Sequence, residues 1–319
     1  MGANHNDCMS PSPLEAAPGT GAVRLEDWGL IRASGADARS FLHGQLTQDI
    51  LALTPERATL AGYCSPKGRL LATFVVWSPA ADEVYLACSA DVLAPTLKRL
   101  SMFVLRAQCR LSDASPSLAI WGVVGSDVSG WTDAACPAGD WECAVGSSGT
   151  VIRLPGASPT RCLVITSTPP PADVGGLDVE TWRALEVRSG IGRVVAATVD
   201  QFVPQMLNLE LVGGVSFSKG CYPGQEVVAR SQYRGTLKRR SFVVVVDSEA
   251  RPGNEIFHSA DPEQPAGMVA LSGGFAGSKH VALAELKLSA LEGGSLHLES
   301  TSGPAVRLAP QPYALPPSQ

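Results

Sequence analysis

Up to about residue 240, short apolar runs with strand-like alternation are interleaved with stretches of helical periodicity. VRLEDWGLI alternates loosely and runs toward Ser34, which reads as the N-cap of a helix through GADARSFLHGQLTQDI, where Phe41, Leu42 and Leu46 share one face. AGYCSPKGRLLATFVVW predicts strand, turn and strand, with SPKG supplying the turn. EVYLAC is a further strand. From about Asp91 the spacing of Leu93, Leu97, Leu100 and Val104 predicts a helix, with Pro95 compatible only with its first turn. The pattern then repeats in outline. LAIWGVVG is a strand, SDVSGWTDAA a short helix, TVIRLPG and RCLVITS two strands, and LDVETWRALEVRSG a capped amphipathic helix.

From about Ser241 the helical periodicity stops. FVVVVDS, NEIFH, GMVALSGG, KHVALAEL, SLHLES and AVRLAP are short strands separated by Gly, Pro and Asp. The expected fold is therefore α+β, with two similar α+β lobes followed by a small antiparallel β-barrel or sandwich. The expected division is a disordered leader over 1–21, lobes over 22–115 and 116–240, a barrel over 241–312 and a Pro-rich tail over 313–319.

Composition changes this picture little. The chain has 319 residues, enough for two or three domains, with 45% hydrophobic and 17% charged residues and a formal net charge of −5. That charge gives no global attraction to nucleic acids or anionic membranes. No secretory pattern opens the chain and no apolar run nears the length of a membrane span, so the expectation is a soluble, cytoplasmic protein. The eight cysteines, at 8, 64, 88, 109, 136, 143, 162 and 221, show no C-x-x-C. Most, including Cys88 and Cys162 in strand-like runs, read as small buried hydrophobes of a reducing compartment. No metal site is expected, because Cys136 and Cys143 have no second pair to complete one.

The candidate chemistry concentrates in SFSKGCYPGQEVVAR. Cys221 stands between Gly220 and Tyr222, two residues after Lys219 and just ahead of a helix beginning near Gln225 and Glu226. A cation and a helix start favour a thiolate, and Gly220 and Gly224 leave room for the backbone to bend. The plain alternative is a buried turn cysteine. Glu226 has an equally plain reading as a favourable charge at a helix N-terminus. Tyr222 and Pro223 read as shaping the turn. No Ser-His-Asp arrangement is legible, which argues against a hydrolase. Arg230, Arg234, Lys238, Arg239 and Arg240 form the densest basic stretch. It reads as a solvated face, a site for carboxylates, or a docking surface. Interleaved aromatics are lacking, so direct nucleic-acid binding is not expected.

KGCYPGQEVVAR, followed by YRG and KRR, resembles the K-G-C-Y-x-G-Q-E motif of the YgfZ family, folate-binding relatives of the glycine-cleavage T-protein. GADARSFLHGQLTQDI, YCSPKGRLLATF, ETWRALEVRSGIG and FVPQMLNLELVGGVSFSKG stand in the order that family shows, over roughly residues 25–245. The resemblance implies a three-domain ring around a central cleft holding tetrahydrofolate. It also implies a role in iron-sulfur cluster assembly or repair and, through an iron-sulfur enzyme, an indirect effect on tRNA modification. The implied partners are iron-sulfur proteins or assembly factors, and the protein is expected to be a monomer. In this reading Cys221 is a partly exposed functional thiol, and Trp28 and Trp182 match tryptophans associated with folate. Gln225 and Glu226 face the same cleft as Lys219, Gly220, Tyr222 and Gly224, with Arg230 and Arg234 beside them. Trp77, Trp121, Trp131 and Trp141 lack that match and read as structural. Arg188 stands where many relatives carry a glutamate that accepts from the pterin edge, and a guanidinium has donors only. The acceptor is then Glu186 or Asp200, or the folate is held differently. Asp49 is a transferase carboxylate by type only. The other readings are a folate-dependent aminomethyl or one-carbon transferase and a folate-insensitive scaffold.

Overall fold

Strand pairing sorts the chain into two open sheets and a closed barrel. The structure, a computed structural model, describes residues 19–156, 159–233, 237–274 and 280–316. Most of the expected leader and the end of the tail lie outside these residues, as does Arg234. Gly21 already belongs to a strand.

In chain order, β1 (Gly21–Arg24) and β2 (Trp28–Ser34) lead into α1 (Ala38–His43). Next come β3 (Thr59–Cys64), β4 (Leu70–Ala80), β5 (Glu83–Ser89), α2 (Ala90–Ser101) and β6 (Arg110–Asp113). The second block holds β7 (Ala119–Val124), α3 (Ser129–Thr132), β8 (Cys143–Val145), β9 (Gly149–Leu154), β10 (Arg161–Thr166) and α4 (Val179–Arg188). After an irregular stretch with short 3-10 turns, α5 (Gln225–Tyr233) precedes the barrel strands. These are β11 (Arg239–Val246), β12 (Glu255–His258), β13 (Asp261–Gly274), β14 (His280–Lys287), β15 (Leu296–Leu298) and β16 (Ala305–Leu308).

One sheet has the order β3-β4-β5-β2-β6 and the other β1-β7-β10-β9-β8. β1 precedes everything else in sequence yet pairs antiparallel with β7, so the chain starts in the lobe to which it later returns. The barrel closes in the order β11-β14-β13-β12-β15-β16. The unbroken FVVVV of β11 has a simple cause. Phe242, Val244 and Val246 fill the barrel, while Val243 and Val245 join the central core with Leu185, Leu283 and Trp182, so both strand faces are apolar.

Several local expectations change. Ser34 ends β2, and α1 starts after Asp37 and stops at His43, with Leu46 buried in the turns beyond. Pro95 sits inside α2 rather than in its first turn. Its ring nitrogen has no hydrogen for the Asp91 carbonyl, and burial of Val92, Leu93 and Leu100 holds the helix instead. Val104 lies past the end of α2. Cys162 is not a plain buried thiol. It forms a disulfide with Cys136, because the chain after α3 folds back over the sheet face that presents Cys162. No helix among the described residues is long and apolar enough to cross a membrane.

Candidate functional site

The first lobe holds the motif loop. Gly224 adopts φ +80°, and a Cβ there would fall 2.4 Å from the Ser65 carbonyl oxygen and 2.7 Å from Gly68 Cα. The KGCYPGQE backbone therefore lies in contact with the SPKG turn that joins β3 to β4, where only glycine fits. Lys219 Nζ, buried here, donates to the Leu46 carbonyl at 2.7 Å and to the His43 carbonyl at the end of α1. The ammonium thus meets the negative end of that helix, and lies 5.0 Å from the Tyr222 ring centre. Burial pulls the Lys219 pKa down to about 8, against the charges of Asp49 and Cys221. Burial pushes the Tyr222 phenol up.

Cys221 differs from the other free thiols. Cys64, Cys88 and Cys143 are buried and their thiols are pushed up to about 12 by burial, whereas Cys221 is exposed. Gly220 is exposed beside it, and a Cβ there would lie 3.6 Å from His43 Nε2. His43 Nδ1 in turn lies 3.0 Å from Asp49 Oδ1. The same oxygen accepts from the amides of Leu51 and Ala52 at 3.0 and 3.2 Å. Asp49 is therefore committed to its own turn, beyond the end of α1.

α5 forms as expected, and Gln225 and Glu226 lie outside the linings of the spaces formed around Trp28, Trp182, Glu186 and Arg193. Val228 is its buried residue, its carbonyl accepting from Gln205 Nε2 at 2.7 Å, while Gln225 is half-buried and Glu226 and Arg230 are exposed. The basic stretch is not one free patch either. Arg239 Nη1 donates to both Glu285 carboxylate oxygens, at 2.8 and 3.0 Å. The buried Arg240 bonds Asn208 and Glu210 at 2.9 and 2.8 Å. Lys238 and Arg230 are the exposed members described.

Trp28 and Trp182, from different lobes, line one narrow slot together with Trp141, Arg161, Glu186, Ser189 and Arg193. Trp141, read as structural, packs against the core and also lines this slot. Trp182 is 1% exposed and seated on Gly122 of β7, where a Cβ would come within 2.5 Å of the indole. Asp178 caps the helix that carries it, accepting from the Thr181 amide at 3.1 Å. Behind the slot lies a cavity of about 1000 Å³ whose walls come from both lobes and the barrel, including Asp27, Asp91, Arg183, Arg251 and His280. Glu186 and Arg193 line both spaces.

Arg193 organises this wall. Nε and Nη2 bond the two Glu186 oxygens at 2.8 and 3.2 Å, Nη2 reaches Asp27 Oδ2 at 3.1 Å and Nη1 reaches Ser89 Oγ at 2.8 Å. Its Cζ lies 4.7 Å from the Trp28 ring centre. Burial opposes the charge, but Glu186 and Asp27 outweigh burial and hold this guanidinium's pKa above its ordinary value. Arg188, by contrast, is half-buried at the end of α4 and lines neither space. Two residues on a helix are turned about 200° apart, so Glu186 takes the inward position. Asp200 accepts from Ser65 Oγ at 2.9 Å and braces the SPKG turn. Arg161 and Arg193 were missed in the sequence because each is a lone arginine outside any motif.

No family model matches the chain. It is 32% identical over 262 residues to the tRNA-modifying protein YgfZ of Edwardsiella ictaluri, with 78% of each chain covered. The chain belongs to the YgfZ family. An uncharacterized protein of Haemophilus influenzae is 30% identical over 237 residues, covering 73% of this chain and 77% of that one. YgfZ of Sodalis glossinidius is 27% identical over 317 residues, 96% of both. The glycine cleavage system aminomethyltransferase T from Bartonella henselae shares the fold, with a TM-score of 0.73 at 14% identity over 94% of this chain and 88% of that one. In this YgfZ-family chain the motif cysteine and the tryptophan slot are thus separate features. Gly224 of the motif rests on the SPKG turn and Cys221 is exposed, while Trp28 and Trp182 meet beside the cavity between lobes and barrel.

Proposed function

We propose that the chain binds tetrahydrofolate or a derivative in the cavity shared by its three units and acts as an accessory factor for iron-sulfur cluster assembly or repair. Its effect on tRNA modification passes through iron-sulfur enzymes, and Cys221 is the functional thiol. Iron-sulfur proteins or assembly factors are its partners. The observation that carries the reading is the convergence of Trp28 and Trp182, one from each lobe, in a slot that shares Glu186 and Arg193 with a cavity of about 1000 Å³. A flat bicyclic ring with a flexible tail needs room of this order and aromatic walls. The indole Nε1 groups of both tryptophans are buried without an acceptor, which suits a ligand carrying oxygen or nitrogen acceptors. Trp28, Trp182 and the Glu186–Arg193 wall would hold the ring. The relatives named as tRNA-modifying proteins and the aminomethyltransferase fold support the same reading.

The thiol reading rests on exposure. Cys221 is free and accessible beside a cation of lowered pKa, whereas Cys64, Cys88 and Cys143 are buried and held protonated. Titration with tetrahydrofolate should quench tryptophan fluorescence and raise the melting temperature, and Trp28→Phe with Trp182→Phe should remove most of the quench. A wild-type protein indifferent to tetrahydrofolate would favour the folate-insensitive scaffold. In a deletion strain, Cys221→Ser should fail to restore iron-sulfur enzyme activities and tRNA thiomethylation. Full complementation by that variant would remove the thiol from the function.

A further inference from the structure

Arg161 is a buried cation that forms no ion pair among the described residues. It opens β10, is 4% exposed, and lines the tryptophan slot. Its guanidinium carbon lies 5.5 Å from the Trp182 ring centre, and its one hydrogen bond among the described residues runs from Nη2 to the Pro155 carbonyl at 3.0 Å. Burial pulls its pKa down to about 10, only partly offset by the charges of Glu186 and Asp140, with Arg188 opposing them. Glu186 is the carboxylate of the slot, and both of its oxygens are already taken by Arg193. Arg193 has two carboxylates, Glu186 and Asp27; Arg161 has none among the described residues.

The remaining polar groups of the slot repeat this imbalance. Trp28 Nε1 and Trp182 Nε1 are buried donors with no acceptor. The Ser189 hydroxyl donates to the Glu186 carbonyl at 2.6 Å. Among the described residues the space therefore holds unused donors and an arginine without an ion pair, while the oxygens of its one carboxylate are engaged by Arg193. A guanidinium desolvated this fully is costly unless something anionic joins it. We infer that the slot beside Trp182 is an oxyanion site in which Arg161 and the indole N–H groups receive a carboxylate or a ring oxo group of a ligand entering from the cavity between the lobes and the barrel. The occupant has the size of a carboxylate, because Trp28, Trp141 and Trp182 close the slot around a narrow space. The forked donors of arginine suit two coplanar oxygens. The inference deepens the folate reading, because such a ligand offers both a ring oxo group and tail carboxylates, but it stands on the donor balance of the slot alone.

The test uses the full-length chain, Arg161→Met and Arg161→Lys. Binding is followed by tryptophan fluorescence and melting temperature with four probes: acetate, 4-aminobenzoylglutamate, tetrahydropterin without a tail, and tetrahydrofolate. Wild type should be stabilised by at least one probe. Arg161→Met should melt at the same or a higher temperature than wild type without ligand, since an apolar side chain of similar length removes a buried charge without an ion pair. It should bind that probe at least tenfold more weakly, as expected for loss of a charge-assisted hydrogen bond. Arg161→Lys keeps the charge and should retain part of the affinity, which covers the case in which methionine disturbs the Trp182 packing. A response confined to 4-aminobenzoylglutamate and acetate assigns the site to the tail carboxylate, and one confined to tetrahydropterin assigns it to the ring oxo group. Equal binding of every probe by wild type and both variants, or no response of wild type to any probe, overturns the inference. Unchanged tetrahydrofolate binding in Arg161→Met would overturn it while leaving the folate reading intact. Arg161-dependent binding of acetate or 4-aminobenzoylglutamate without tetrahydrofolate binding would overturn the folate reading alone.

Discussion

Gly224→Ala tests whether the motif loop is held by its contact with the SPKG turn. Two glycines share φ +80°, which makes the measurement a difference: Gly224 on the turn, and Gly213, whose added Cβ would meet nothing within 4 Å. An alanine forced into the left-handed region costs about 1–2 kcal/mol at either site. At Gly224 the new methyl would also lie 2.4 Å from the Ser65 carbonyl oxygen and 2.8 Å from the Gly68 amide nitrogen. Both are backbone atoms, so the overlap is relieved only by moving the loop ahead of α5 off the β3–β4 turn. Overpacking of this kind costs about 1–3 kcal/mol. Gly224→Ala should therefore lose about 2 kcal/mol more than Gly213→Ala. With an unfolding entropy of about 2.1 cal/mol/K per residue, that difference lowers the melting temperature by a further ~3 °C. Limited trypsinolysis reads the loop directly, because cleavage after Lys219 requires its buried side chain to leave the α1 carbonyls. Cleavage there should accelerate in Gly224→Ala and not in Gly213→Ala. Equal losses of stability and equal cleavage in the two variants would refute the docking argument.

Lys219 makes stability depend on pH in a definite direction. Its folded pKa of about 8 lies below the ordinary 10.5, so between these values the unfolded chain binds more protons and this group adds stability as pH rises. In denaturant titrations at pH 8 and pH 10, Lys219→Met should remove that increment, so wild type should gain on the variant at the higher pH; a difference flat across the window would refute the assignment. The Cys136–Cys162 disulfide spans 26 residues, and closing such a loop is worth about 3.5 kcal/mol. Reductant should lower the urea midpoint of wild type and leave that of Cys136→Ala/Cys162→Ala unchanged, and an unmoved wild-type midpoint would refute the bond's contribution.

Much of the architecture was legible locally. The strand pairs around SPKG, the capped helix carrying Trp182, α5 after the motif and the run of short barrel strands all announce themselves through periodicities of 2 and 3.6 and through turn residues. These signals are set by the neighbours of each residue in sequence, so the sequence by itself determines them. It determined the family in the same way, through a contiguous motif. The tertiary structure decided whatever depends on which distant segments meet. β1 could not be assigned to the second sheet from its own four residues, because an edge strand carries no mark of its partner. Cys136 and Cys162 show no spacing that distinguishes a pair from two buried thiols. Arg239 and Arg240 look like part of a basic patch until the fold brings Glu285 and Glu210 to them. Glu186 and Arg188 are two residues apart, and only the packing of α4 against β13 and β14 decides that the carboxylate faces inward. The family resemblance implies one central cleft for SKGCYPGQEVVAR and the two tryptophans. Packing seats Gly224 of the motif on a turn of the first lobe, leaves Cys221 exposed and sets the tryptophans beside a buried arginine, because side-chain chemistry is written in the sequence but its partners are chosen by close packing in space.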